Sequence, residues 1–150
     1  MIGQNINVDR FRNGDLIPQA ITNQEWIDYG VNGTPCWCYY NNDPLNGDVY
    51  GKIYNWHAVN DVRGICPEGY HVPTKSEMEL YSEEFRDLVK GGLRNYLGDF
   101  YYLGDFGHWW SSTDAGYDIA WSTYIHYYEN YVGVFENYKL YGFSVCTIVD

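Results

Sequence analysis

The sequence predicts one mixed α+β domain, with helices in its first half and short antiparallel strands in its second. Three observations predict it. In VYGKIYNWHAVND, the residues Tyr50, Ile53, Tyr54, His57 and Ala58 recur at helical spacing. Thr74-Lys-Ser-Glu77 is a capping-box pattern that opens a second amphipathic run. After Gly91 the helical period gives way to strand-like alternation broken by frequent glycines.

Taken in order, residues 1–48 are rich in Asn, Gly, Asp and Pro (RNGD, VNGTP, NNDPLNGD), which read as turns joining short strands. A short helix is expected over about 49–59, and RGICPEGYHVPT is a Gly/Pro-rich connection after it. A second helix is expected from Thr74 to about Leu88, with Met78, Tyr81, Phe85 and Leu88 on one face and KGG closing it. Three strands follow, in AWSTYIHYY, YVGVFE and FSVCTIV.

Strand parity divides these residues into two sets. Trp121, Thr123, Ile125 and Tyr127 take one face of the first strand, and Ser122, Tyr124, His126 and Tyr128 the other. In the second strand Val132 and Val134 oppose Tyr131, Gly133 and Phe135. One set is core, and the expected core comprises Trp56, Trp109, Trp121, Ile125, Val132, Phe143 and Val145. The other set combines Tyr, His and Phe with Ser and Gly, as antibody-type surfaces do: large contact area at low rotamer cost, with small adaptable residues between. A plainer reading stands beside this one, because aromatics favour strands in any case.

A length of 150 residues suits a single core, and 45% apolar with 19% charged residues is a globular composition, not a disordered one. No apolar run reaches the ~20 residues of a membrane helix. The net charge of -11, with nine scattered Lys and Arg, argues against nucleic acid as a partner. Cys36, Cys38, Cys66 and Cys146 read as buried thiols or one disulfide, since CWC is not a metal-ligand spacing. His57 and His71 read as packed or structural, whereas His108 and His126 fall on the presumed binding face. No metal or other cofactor is expected; the acidic loop Asn41 to Asp48 is the one calcium alternative, without an EF-hand pattern. Trp109 and Trp110 read either as a sugar-stacking pair or as core anchors.

The segments YNNDPLNGDVYGKIYNWHAVND, RGICPEGYHVPTKSEM, GLRN, WWSST, AW and GFSV, in that order, resemble the FISUMP (Fibrobacter succinogenes major paralogous) domain family. The resemblance spans nearly the whole chain and implies a single domain over 1–150. It implies a C-type-lectin-like fold, two helices and a twisted antiparallel sheet whose loops and strands make a ligand surface. It also implies an extracellular or cell-surface protein, often of gut bacteria. Some members are variable proteins of diversity-generating retroelements, in which adenine-directed mutagenesis rewrites chosen codons, commonly those of Asn. The products include Tyr, Asn, Asp, His, Ser, Phe and Gly but never Lys, Glu or Trp.

By that resemblance the ligand-binding residues are Tyr101, Tyr102, Asp105, Phe106, His108, Tyr117, Asp118, Ser122, Tyr124, His126, Tyr128, Tyr131 and Phe135, all of which fit the menu, as does Gly133. Trp109, Trp110, Trp121 and Lys139 do not fit it and fall on scaffold positions. The implied variable region is about 94–141, and the implied function is receptor- or adhesin-type binding of a protein or glycan on a cell or phage surface. Two alternatives stand behind this non-enzymatic reading: a carbohydrate-binding lectin, and an oxidase of the formylglycine-generating kind with Cys36 and Cys38 as its basis. Two features depart from the family. The longer insertion usual before RN is missing, and the tail reads GFSVCT where GFSVRC is usual. A disulfide between Cys66 and the tail cysteine is natural in the family; here parity turns Cys146 away from Phe143 and Val145, so Cys146 is expected not to pair with Cys66.

Overall fold

A computed structural model describes residues 1–128 and 132–150. The first helix, α1 (Asn23–Val31), lies where turns and short strands were expected. Thr22 caps it, its side chain accepting from the Glu25 amide. Its inward side offers only Trp26 and Gly30 as buried residues, too few to print a helical period on the sequence.

The helix expected over 49–59 is three elements. Asp43 caps α2 (Pro44–Tyr50), with Pro44 in its first turn. Gly51, at φ 76°, then turns the chain; a Cβ there would stand 2.5 Å from the Ile6 carbonyl oxygen. The next residues, β2 (Ile53–Tyr54), pair antiparallel with β1 (Trp37–Cys38). Asn55 starts α3 (Trp56–Asn60): its Oδ1 accepts from the Ala58 and Cys36 amides, and its Nδ2 donates to the Thr34 carbonyl. Of the five residues at helical spacing, Tyr50 ends one helix, His57 and Ala58 lie in another, and Ile53 and Tyr54 belong to the strand between them, so the spacing does not mark one helical face.

The capping box at Thr74 and Glu77 forms as expected and opens α4 (Lys75–Leu80). A 3-10 turn over Ser82–Asp87 continues it in place of an α-helix. Met78, Phe85 and Leu88 are buried along this run and Tyr81 is half-buried.

The strands form small antiparallel sheets. β3 (Tyr70–His71) pairs with β9 (Ile148–Val149), and β4 (Leu93–Arg94) with β5 (Phe100–Tyr101). The largest sheet is a meander of β6 (Phe106–Asp114), β7 (Ile119–His126) and β8 (Gly133–Tyr138). Of FSVCTIV only β9 is a strand; Phe143 bridges to Tyr54 and Ser144 to Trp109 singly. The chain is thus a mixed α+β domain of short helices and small antiparallel sheets.

Trp56, Trp109, Ile125, Phe143 and Val145 are buried as expected. Trp110 is buried too, so both members of the tryptophan pair are core. Each indole N–H is satisfied: Trp56 donates to the Ser111 carbonyl, Trp109 to Asn5 Oδ1 at 2.7 Å, and Trp110 to the Tyr54 carbonyl. Two expectations fail. Trp121 is only half-buried, with the Lys75 ammonium 4.3 Å above its ring, and Val132 is half-buried at the sheet margin. All four cysteines are buried free thiols. Cys146 packs with Met78, Phe85 and Trp109, whereas Cys66, Phe143 and Val145 belong to the other side of the core, as parity implied. Burial pushes the Cys38 and Cys66 thiols up to about 12, so neither is a thiolate near neutral pH.

Candidate functional site

Register decides which side chains of the meander meet. Phe106 lies opposite His126, His108 opposite Tyr124, and Ser122 opposite Phe135, and residues directly opposite project from the same side. Phe106, His108, Tyr124, His126 and Phe135 therefore share one face. Gly107, Trp109, Thr123, Ile125 and Val134 take the other, and of these Trp109, Ile125 and Val134 pack with Met78, Phe85 and Leu88 of the run from α4 to Leu88. Gly107 is required there, because a Cβ would fall 2.1 Å from the Trp109 ring.

The aromatic face is closed at one end and open at the other. At the closed end Trp110 is buried beneath Phe143, with centroids 4.3 Å apart. Toward the open end the rings remain in contact while exposure rises. His108 stacks on Phe143 at 5.0 Å and on Tyr124 at 5.5 Å, and Tyr124 reaches Phe135 at 5.1 Å. Phe106 stacks on His126 at 4.3 Å and touches Tyr102 at 4.8 Å, and Tyr102 touches Tyr101. Tyr128 extends the row beyond His126. Tyr101, Tyr102 and Tyr128 are exposed; Phe106, Tyr124, His126 and Phe135 are half-buried.

A tight turn presents this end. The amides of Asp105 and Phe106 both donate to the Tyr102 carbonyl, and Tyr102 itself sits at φ 73°, a left-handed conformation uncommon for a bulky residue. The turn is anchored by Gly104 N–H to the Lys90 carbonyl and Gly92 N–H to the Phe106 carbonyl. Asp105 is exposed at the rim.

His108 differs from its neighbours. Its residue surface is only half-buried, but both ring nitrogens are inaccessible and neither has a hydrogen-bond partner. Burial lowers its pKa from 6.5 to about 4, so the imidazole is neutral at neutral pH.

The structure brings together Tyr101, Tyr102, Asp105, Phe106, His108, Tyr124, His126, Tyr128 and Phe135. It corrects four other expectations. Ser122 has the predicted parity but is buried at the closed end, its hydroxyl donating to the Phe135 carbonyl and accepting from Asn137. Gly133 is buried as well, its carbonyl accepting from the Thr123 hydroxyl. Tyr117 and Asp118 occupy the turn between β6 and β7, at the other end of the hairpin from Phe106. There they border a cavity of about 450 Å³ with Val31, His57 and Lys139. Tyr131 lies outside the described residues.

Sequence reading missed Tyr96, Tyr138 and Tyr141, which continue the ring contacts from Phe143. The density of tyrosines up to position 141 was their signal, but Tyr96 and Tyr141 lie outside the strands, where parity has no meaning, and Tyr138 ends β8 with the parity opposite to that of Phe135. Two histidines are structural as expected. His57 Nε2 bonds the Gly30 carbonyl oxygen, and His71 lies between Glu77 and Asp150 at 2.8 and 2.7 Å.

In the segment Asn41 to Asp48 the polar side chains serve the fold: Asp43 caps α2, Asn42 donates to the Ile21 carbonyl and Asn46 to the Tyr40 carbonyl. Among the described residues no group of three or more His, Cys, Asp or Glu is placed to hold a metal ion. No helix among them is long and apolar enough to cross a membrane.

The described residues thus form a small α+β domain that carries an aromatic sheet face. Residues 2–85 match the model of the Fibrobacter succinogenes major domain, and the chain belongs to that family. No curated protein and no solved structure matches it. The family match ends at Phe85, so the aromatic face lies wholly in the sequence that follows.

Proposed function

We propose that this chain is a binding module and that the open end of the aromatic face is its ligand surface. One observation carries the reading: a continuous row of rings, exposed on one side of a sheet whose other side is core. Contiguous exposed apolar surface marks interaction sites in monomeric proteins. Tyr and Phe supply large contact area with few rotors to freeze, and binding energy concentrates in a few such anchors.

The finer reading is a variable protein of a diversity-generating retroelement on a C-type-lectin-like scaffold, acting at the cell surface on a protein or glycan of another cell or phage. Its support is that the open residues fit the Asn-codon menu while the buried Trp109 and Trp110 do not. The alternatives find less support. Burial of both tryptophans leaves a lectin without that stacking pair, and burial of Cys36 and Cys38 leaves an oxidase without an accessible thiolate there.

Peptides selected from a random display library against the domain test the reading. Their binding should be lost in the Tyr102→Ser/Phe106→Ser/Tyr124→Ser variant at a temperature where its unfolding curve shows it still folded. Selected peptides that bind that variant as well as the parent would sink it.

A further inference from the structure

We propose that the open face receives a cationic side chain, so that its partner is a basic protein segment presenting Arg or Lys. The proposal rests on the reading of this face as the ligand surface and names what it binds.

The chain's own treatment of its aromatic rings is the first observation. Lys52 lies over Trp37 and Tyr39, Arg63 over Phe11, Lys75 over Trp121, Arg94 over Trp26 and Phe100, and Lys139 over Trp56, at 4.1 to 5.0 Å. Five cations thus cover seven rings elsewhere in the fold. Among the described residues none lies over Tyr101, Tyr102, Phe106, Tyr124 or Tyr128. The negative faces of those rings have no cation supplied by the described residues, and a cation over such a ring is held by its quadrupole, the more strongly when desolvated.

Charge is the second observation. The chain carries 20 Asp and Glu against nine Lys and Arg. At the rim Asp105 is exposed, and the basic groups of the neighbouring segments are already engaged. The Lys90 ammonium donates to the Arg86 and Leu88 carbonyls, and the buried Arg94 guanidinium donates to Ala20 and Gly98. An anionic ligand would meet ring faces and the Asp105 carboxylate, both of which repel it; a cation meets attraction from both.

His108 is the third. Its ring lies between Phe106 and Tyr124, at 5.9 and 5.5 Å, with neither nitrogen hydrogen-bonded. A neutral imidazole keeps one acceptor nitrogen. A guanidinium or ammonium entering as either flanking ring rotates brings the N–H donor that this nitrogen lacks.

The test uses three end-blocked peptides of alternating glycine with arginine, citrulline or glutamate. Citrulline keeps the shape of arginine and removes its charge. Titrations of the whole chain are followed by amide chemical shifts and calorimetry. The arginine peptide should saturate, move the resonances of Phe106, Tyr124 and Tyr128, and bind at least tenfold tighter than the citrulline peptide. The glutamate peptide should leave them unmoved. Asp105→Asn should weaken the arginine peptide several-fold without lowering Tm. Equal binding of arginine and citrulline peptides would overturn the proposal and leave the ligand surface standing. So would arginine-peptide binding that survives the Tyr102→Ser/Phe106→Ser/Tyr124→Ser variant, since it would then lie elsewhere on an acidic surface. Failure of the ligand surface itself shows separately, in library peptides that ignore the same variant.

Discussion

The two faces of the β6–β7–β8 meander are built from the same strands, in alternation, yet one is core and the other is half open. Trp109 and Ile125 are closed off by the run from α4 to Leu88. Phe106, Tyr124 and Phe135, equally aromatic or more so, meet Phe143 only at one end through His108 and Trp110. Side-chain apolarity does not distinguish them; the return of distant chain does. The hydrophobic drive acts on both faces alike, and only one has a partner element to bury it.

The largest test of that contrast sets two tryptophans of the closed side against each other. Trp109 is fully buried, meets Phe85 edge-on at 5.3 Å and donates to Asn5. Trp109→Ala should cost about 3–5 kcal/mol in denaturant unfolding, the range for deleting a buried large aromatic. Trp121 has the same parity but is only half-buried, with the side chain of Lys75, the first residue of α4, over its ring. Trp121→Ala should cost under about 2 kcal/mol, made of partial burial and an exposed cation–π contact. Equal costs would mean that cover does not set the difference between the faces.

A second test uses acid and is expected to be somewhat smaller. His108 has a folded pKa depressed to about 4 from 6.5 by burial. Between those values the unfolded chain holds more protons at this site, so folding stability falls as pH drops from 6.5 towards 4. The full loss is on the order of 3 kcal/mol below that window, and there is none above it. His71 has the opposite sign. Burial opposes its charged form, but the bonds to Asp150 and Glu77 prevail and raise its pKa. Its contribution is present at low pH and is lost as pH rises through that raised value. The difference between the parent and His108→Phe isolates the first effect, because His71 is common to both. The variant should gain on the parent steadily from pH 6.5 to 4; parallel curves would show that the His108 nitrogens reach water.

These contrasts also mark how much was legible in the sequence. The capping box at Thr74, the buried side of Ile125, Phe143 and Val145 and the opposite side of Tyr124 and Phe135 follow from local pattern, whereas Trp56 and Trp109 in the core and Phe106 and His108 on the shared face came with the family resemblance. Parity assigns a side of a strand, however, and not what lies over it. Ser122 was placed on the correct face and is buried because Trp110 and Phe143 close that end. Tyr117 and Asp118 match the composition of the face, but composition carries no position along the strand axis, and the hairpin puts them at its far end. The break at Gly51 depends on the approach of Ile6 from 45 residues away, which no local window contains.

The smallest test concerns the boundary of the open face. Tyr102 holds a left-handed backbone at φ 73° while its ring touches Phe106 at 4.8 Å and Tyr101 at 5.7 Å. The conformation costs a bulky residue roughly 1–2 kcal/mol, which Asn, tolerant of it, largely avoids. Loss of the ring contacts costs about 0.5–1.5 kcal/mol. The two nearly cancel in Tyr102→Asn, whose stability should lie within about 1 kcal/mol of the parent. Tyr102→Ala loses the ring without relieving the strain and should fall about 1 kcal/mol below Tyr102→Asn. Denaturant midpoints measured side by side decide the order. If both variants lose 2 kcal/mol or more, the Tyr102 ring is structural, and the open face begins at Phe106. If Asn matches the parent and Ala does not, the fold bears the strain of this turn for the sake of a ring that serves the surface.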